Sequence, residues 1–287
     1  MISNRWFAVA MVLLIAGVSF ASVASAQETG TADQYSQTYQ TYKEKYIGAK
    51  DLYTQARNEF ESAKANYRTA KTKGNSEALL NSTKDYMVKA IDAMIAYLRM
   101  IEANAKLAEN RGIAPYDASV NLNKYISELE QKKLDVQSAT TKQELIDIGN
   151  SVKKTWLNVK VEVKYYIGYV VNNRLEAFLI KANNASERMD SQIQTLKSKG
   201  IDTTKLERDL ATYNEWVSKA ETEYNSAKEN YRTHGGFDTY GHVTNLNEAD
   251  KFLKAADKNF RQANQYLNKA KNSLKNAIAE LRKANQP

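Results

Sequence analysis

Two histidines and an aspartate fall within ten residues of this chain, and they are its only histidines. His234 and His242 bracket Asp238 in the segment Thr-His-Gly-Gly-Phe-Asp-Thr-Tyr-Gly-His, residues 233–242. Two imidazoles and a carboxylate are ligand types that a divalent metal accepts. The chain supplies no third histidine and no cysteine, and the spacing matches no familiar metal motif. The segment therefore reads first as a glycine-rich turn between two long helices. Phe237 and Tyr240 within it are candidates for contact with a partner. The G-x-x-x-x-G frame at Gly236–Gly241 lacks the Lys-Ser/Thr pair that makes a phosphate loop. No nucleophile with an adjacent base is recognisable, so the sequence points away from an enzyme and calls for no cofactor.

A second candidate surface is basic. Residues 244–287 carry nine basic and four acidic side chains. Lys254, Lys258, Arg261 and Lys275 fall on outward helical positions, where they could face a polyanion. The competing reading is a solvated helix face, and no motif for reading nucleic-acid grooves accompanies it. The chain also holds eighteen tyrosines. Most sit where helix packing would bury their rings and leave hydroxyls at the rim. An exposed group such as Tyr165, Tyr166 and Tyr169 would instead offer faces for stacking carbohydrate.

The elements that must position these residues are written as heptads. Tyr39, Tyr42, Tyr46, Ala49, Tyr53, Ala56, Phe60, Ala63, Tyr67 and Ala70 step by three and four without a slip. Leu246, Ala249, Leu253, Ala256, Phe260, Ala263, Leu267, Ala270, Leu274, Ala277 and Leu281 do the same near the end of the chain. Leu206, Leu210, Tyr213, Val217, Ala220, Tyr224, Ala227 and Tyr231 form another seam, and Leu80, Thr83, Met87, Ala90, Met94, Tyr97 and Ile101 a fourth. Strict seven-residue repeats make helices that lie along one another. A large residue opposite alanine lets two backbones approach to the short end of the ~8–10 Å packing range.

The breaks between seams place six helices at 32–72, 76–110, 117–136, 141–198, 203–232 and 244–285. Gly74 with Asn75 and Ser76, Gly112, Pro115 with Asp117, and Gly200 mark the ends. Thr141 with Glu144 and Thr204 with Glu207 have capping-box spacing. Val159–Lys164 alternates like a strand, but the same region fits a heptad seam and a lone strand would have no partner, so helix is expected. Trp156–Ile180 is apolar on more than one face, which suggests a helix covered on several sides. Gly168 and Asn172–Asn173 are places where it could bend.

An internal repeat runs through this plan. Residues 58–70 (NEFESAKANYRTA) and 222–234 (TEYNSAKENYRTH) share eight of thirteen positions, and 85–92 (DYMVKAID) resembles 250–257 (DKFLKAAD). The simplest account is a duplicated helical hairpin, 32–110 and 203–285, around central helices at 117–198.

The N-terminus has the form of an export signal: Arg5, an apolar run from Trp6 to Val18, and the small-x-small site Ala24-Ser25-Ala26. Cleavage would start the mature chain at Gln27; an uncleaved anchor is the alternative. With no cysteine the fold rests on packing alone. The formal charge of +8 and a pI near 9.2 suit an acidic partner. Two prolines in 287 residues suit long helices. Asn81 and Asn184 lie in glycosylation sequons.

The stretch ATTKQELIDIGNSVKKTW from Ala139, and Lys199 to Glu207 (KGIDTTKLE), resemble a loose set of exported archaeal and bacterial helical proteins. These share a Thr-x-x-Glu-Leu helix start and a Gly-x-Asp-Thr-x-x-Leu-Glu turn. The resemblance covers about a quarter of the chain, implies an exported helical protein, and carries over no functional residue.

Together these features predict an all-α protein, an elongated antiparallel bundle of about six helices forming coiled-coil hairpins, residues 27–287 after a signal at 1–26. The expected role is that of an exported, non-enzymatic structural or binding protein of the cell envelope, outside the cell, on its surface or in the periplasm. Its partners would be a protein or an acidic envelope polymer, with no specific nucleic acid; membrane contact and self-association are both compatible. An envelope holdase chaperone and a helical membrane-active protein are the alternatives.

Overall fold

A computed structural model describes residues 31–110, 112 and 117–284. The expected signal segment, 1–26, and Pro115 lie outside the described residues. Six helices follow in order: α1 (Thr31–Thr69), α2 (Lys73–Asn110), α3 (Ala118–Ser138), α4 (Lys142–Ser198), α5 (Thr204–Thr233) and α6 (Leu246–Ala284). The described residues contain no strand, only an isolated bridge between Phe237 and Val243. The chain is all-α, and its helices are packed as bundles. Val159–Lys164, the strand-like run, is helical within α4. None of the described helices is long and apolar enough to cross a membrane.

The molecule divides into two compact units. Among the described residues the first comprises 31–107 together with 118–159, and the second comprises 108–110, 112, 117 and 160–284. In the first unit α1 runs antiparallel to α2: Tyr46 meets Tyr97, while Tyr53 and Phe60 meet Tyr86. α2 is also met by α3, through Lys133 and Asp92 at 2.7 Å, and by the start of α4, through Tyr97 and Trp156. Such neighbours explain why five consecutive residues, Ile101–Ala105, are all buried. The many-sided enclosure expected for Trp156–Ile180 is therefore at least as marked in α2, whose sequence hides it behind an ordinary-looking heptad.

Glu102 is one of the five, only 5% exposed. Burial alone would raise its pKa. Hydrogen bonds from Lys106, Asn123 and Arg99 outweigh that and hold the carboxyl below its ordinary value. A depressed folded pKa means stability that is present above the unfolded pKa and is lost as pH falls through the folded one. Glu102→Gln should therefore melt lower than the wild type at pH 7. The difference should shrink as pH drops below about 4.5, the ordinary glutamate value. Paired thermal melts from pH 7 to pH 3 measure this; a difference that stays constant with pH would remove the assigned role.

In the second unit α4, α5 and α6 form successive antiparallel pairs. α4 meets α5 through Glu176–Lys228, the Ala182 carbonyl accepting from Tyr213 Oη at 2.8 Å, and Glu207–Lys197. All eight residues of the α5 seam are buried, and on α6 so are Ala249, Leu253, Ala256, Phe260, Ala263, Leu267, Ala270 and Ala277. Each large buried residue contributes about 1.5–3 kcal/mol. Gly168 does not break α4, which runs on past it to Ser198. A Cβ there would lie 2.9 Å from the Tyr231 ring and closer still to its hydroxyl. The glycine makes room for a buried tyrosine.

Helix ends follow the expected chemistry with two changes. Thr141 and Glu144 form the reciprocal capping box, and Leu196, Lys197, Gly200 and Ile201 close a Schellman end on α4. At α2 the cap is Thr72, whose hydroxyl accepts from Asn75 N–H; Asn75 instead donates to the Asn66 and Ala70 carbonyls at the end of α1. At α5 the helix begins at Thr204 itself, so the N-cap is Thr203, one residue earlier than the expected Thr204–Glu207 box: Asp202 Oδ1 accepts from Thr204 N–H, and the Thr203 hydroxyl donates to Glu207.

Candidate functional site

The turn between α5 and α6 spans residues 234–245, whereas α1 and α2 are joined by 70–72 alone. The two hairpins keep nearly equal spacing between their matched segments. The first uses the intervening residues for an early start to α2, and the second builds a loop from them. Its glycines, absent at the matching positions of the first hairpin, account for the difference.

The loop is closed from inside. Asp238 Oδ1 accepts from Tyr240 N–H and His242 N–H, both at 2.9 Å, while Asp238 N–H donates to the His242 carbonyl. The Gly236 carbonyl accepts from Thr244 and Asn245 N–H at 2.9 and 3.1 Å. Asn245 then caps α6, its Oδ1 accepting from Asn247 and Glu248 N–H. Gly236 sits at φ 80°, and a Cβ there would collide with the Ala249 nitrogen and fall 2.6 Å from the Asn245 oxygen. Only glycine allows the loop to fold onto the first turn of α6.

Two α4 side chains anchor this closed loop. Glu162 Oε1 accepts from Val243 N–H at 2.9 Å, and its other oxygen lies 3.5 Å from His242 Nδ1. Tyr165 Oη and His234 Nδ1 share a hydrogen bond at 2.9 Å. The Tyr165 ring is the hub of an aromatic cluster, with centroids of Phe237, Tyr231 and Phe252 at 4.4, 5.4 and 6.1 Å.

These contacts decide the fate of each predicted residue. Phe237 is 7% exposed and faces the core, so its ring is not offered to a partner. Tyr240 is 61% exposed on the loop surface. His234, Asp238 and His242 do not converge. His234 bonds to Tyr165, Asp238 to the loop's own amides, and His242 faces Glu162. Among the described residues no group of three or more His, Asp or Glu side chains is placed to hold a metal ion. The Tyr165, Tyr166 and Tyr169 group does not form an exposed stacking face, because Tyr165 and Tyr166 are buried. On α6, Lys254 and Arg261 pair with Asp250 and Asp257 one turn earlier, at 2.5 and 2.9 Å, and Lys258 and Lys275 are exposed. Exposed pairs of this kind add little stability.

Two residues that the heptad pattern passes over are Trp216 and Tyr266. Each stands one position before a seam residue, Val217 and Leu267. An aromatic just off a heptad seam is the signal that would have found them: it lies at the edge of the packed stripe and keeps part of its ring in solvent. Comparison of the chain with protein-family models, curated proteins and solved structures finds no match.

Proposed function

We propose that this chain is an exported, non-enzymatic structural or binding protein of the cell envelope, presenting helical faces and the 234–245 tip to a partner. The observation that carries the reading is the construction of the tip. Asp238 and Glu162 fix its backbone by accepting from its N–H groups, and the large aromatic left outward is Tyr240. A rigid loop with an exposed tyrosine binds with little loss of conformational freedom. Tyrosine is also among the residues that dominate interface energies. The leader-like residues 1–26 and the absence of cysteine agree with export.

Tyr240→Ala tests this. Full-length protein immobilised on a support is exposed to an envelope extract, and bound species are compared with those on the variant. A discrete species should be captured by the wild type and reduced at least tenfold by the variant, with the thermal melt unchanged. Equal capture by both proteins would remove the tip from the reading.

A further inference from the structure

Trp216 of α5 and Tyr266 of α6 stack across the hairpin, their ring planes 17° apart and their centroids 5.9 Å apart. Lys269 Nζ stands 4.3 Å from the Trp216 centroid and 5.7 Å from that of Tyr266, and Lys219 Nζ stands 4.6 Å from Trp216. Both rings pack their inner edges against the α4–α5–α6 core and remain partly exposed. α4 reaches α5 through Glu207 and Asn214, about half a turn round the helix from Trp216, and through Tyr213, about 60° from it, and Trp216 still keeps part of its ring exposed.

The charge around this pair is one-sided on α6. From Lys258 to Ala279 the helix carries Lys258, Arg261, Lys269, Lys271 and Lys275 and no acidic residue. Lys219 is paired with Glu215. Lys269 has no acidic partner among the described residues, so its ammonium rests on the two rings alone. A cation over a partly exposed ring is weakly held, and a carboxylate would draw it away with a stronger, charge-assisted hydrogen bond. Close in sequence to the two rings are Thr212 and Glu215 on α5 and, on α6, three amides, Gln262, Gln265 and Asn268. Each amide both donates and accepts, as sugar hydroxyls require. The guanidinium groups favoured for phosphate are scarce: Arg261 is the one arginine in this stretch, and Asp257 holds it.

We infer that Trp216, Tyr266, Lys269 and Lys219 form a binding platform for an acidic polysaccharide, a glycan chain bearing uronate carboxylates. The exposed part of the ring pair takes the apolar C–H face of a sugar. The Lys269 ammonium, which has no carboxylate partner among the described residues, takes a uronate carboxylate, while Lys219 stays with Glu215 and adds its charge to the field. The platform is separate from Tyr240, so its failure would leave the proposal for the tip standing.

Calorimetric titration of the full chain with an oligogalacturonate at low salt tests the platform. The wild type should bind, and the fully methyl-esterified oligomer, with the same sugars but no charge, should bind at least tenfold more weakly. Trp216→Ala should cost at least tenfold and Lys269→Gln several-fold. Trp216→Phe, which keeps a ring, should retain most of the affinity. Lys258→Gln, the same charge loss away from the rings, should cost less than twofold. Circular-dichroism melts confirm that each variant is folded. No binding by the wild type, or wild-type affinity in a folded Trp216→Ala, would overturn the inference. So would equal affinity for inorganic polyphosphate with the same dependence on Trp216, because the platform would then be reading charge without sugar.

Discussion

Gly236→Ala should lower the melting temperature on the order of 10 °C and detach the tip from α6. The backbone at Gly236 is left-handed, with φ 80°, which costs an L-residue about 1–2 kcal/mol. The added methyl meets main-chain atoms of Ala249 and Asn245, all within 2.8 Å. Those atoms belong to the cap and first turn of a helix and cannot step aside as a flexible side chain would; overpacking of this kind costs about 1–3 kcal/mol more. A total of several kcal/mol in a unit of this size corresponds to the stated fall. Amide hydrogen exchange should show the cause: the Thr244 and Asn245 N–H groups, bonded to the Gly236 carbonyl, lose protection first. Gly48→Ala is the matching control. Gly48 lies within α1, and a methyl added there meets nothing within 4 Å, so the change should stabilise by about 1 kcal/mol. A melting temperature that Gly236→Ala leaves unaltered would show that the loop does not close in the manner described.

Ala263→Leu should destabilise by about 1–3 kcal/mol through a different mechanism. Ala263 is 0% exposed on the α6 seam between Phe260 and Leu267. Large residues fill the seam on either side, and alanine is what keeps the two helices at short range. Leucine at that position forces the helices apart or its neighbours off their rotamers. Ala255→Leu, one helical position away from the seam and exposed, adds the same methyl groups to solvent and should shift the melt by less than about 0.5 kcal/mol. Circular-dichroism melts of the two variants read the contrast directly. Equal melting temperatures would mean that the alternation of bulk along the seam does not set the packing. The same logic applies in the first unit at Ala56, which is buried between Tyr53 and Phe60.

Helix position and facing were legible because a helix turns its chemistry into a period. Each residue's direction follows from its number, so Leu206 to Tyr231 could be assigned to the interior before any partner was known, and all eight are buried. The helix ends were legible to within a few residues, since caps are local hydrogen bonds. They shifted where two local options competed, as with Thr72 and Asn75.

The loop carried no such period. Phe237 and Tyr240 are both aromatic and three residues apart, yet one enters the core and the other faces solvent. What separates them is Tyr165, whose ring stands 4.4 Å from Phe237 and is 72 residues away along the chain. Likewise His234 and His242 looked like two ligands of one site until α4 supplied each with its own partner, Tyr165 and Glu162. The amino-acid order thus determined an all-α chain, six helices and the stripe along which each is buried, because these depend on interactions within a few residues. Which side chains of the tip point inward, how completely α2 is enclosed, and that Trp216 meets Tyr266 were decided by tertiary structure, because each depends on which distant segment arrives beside it.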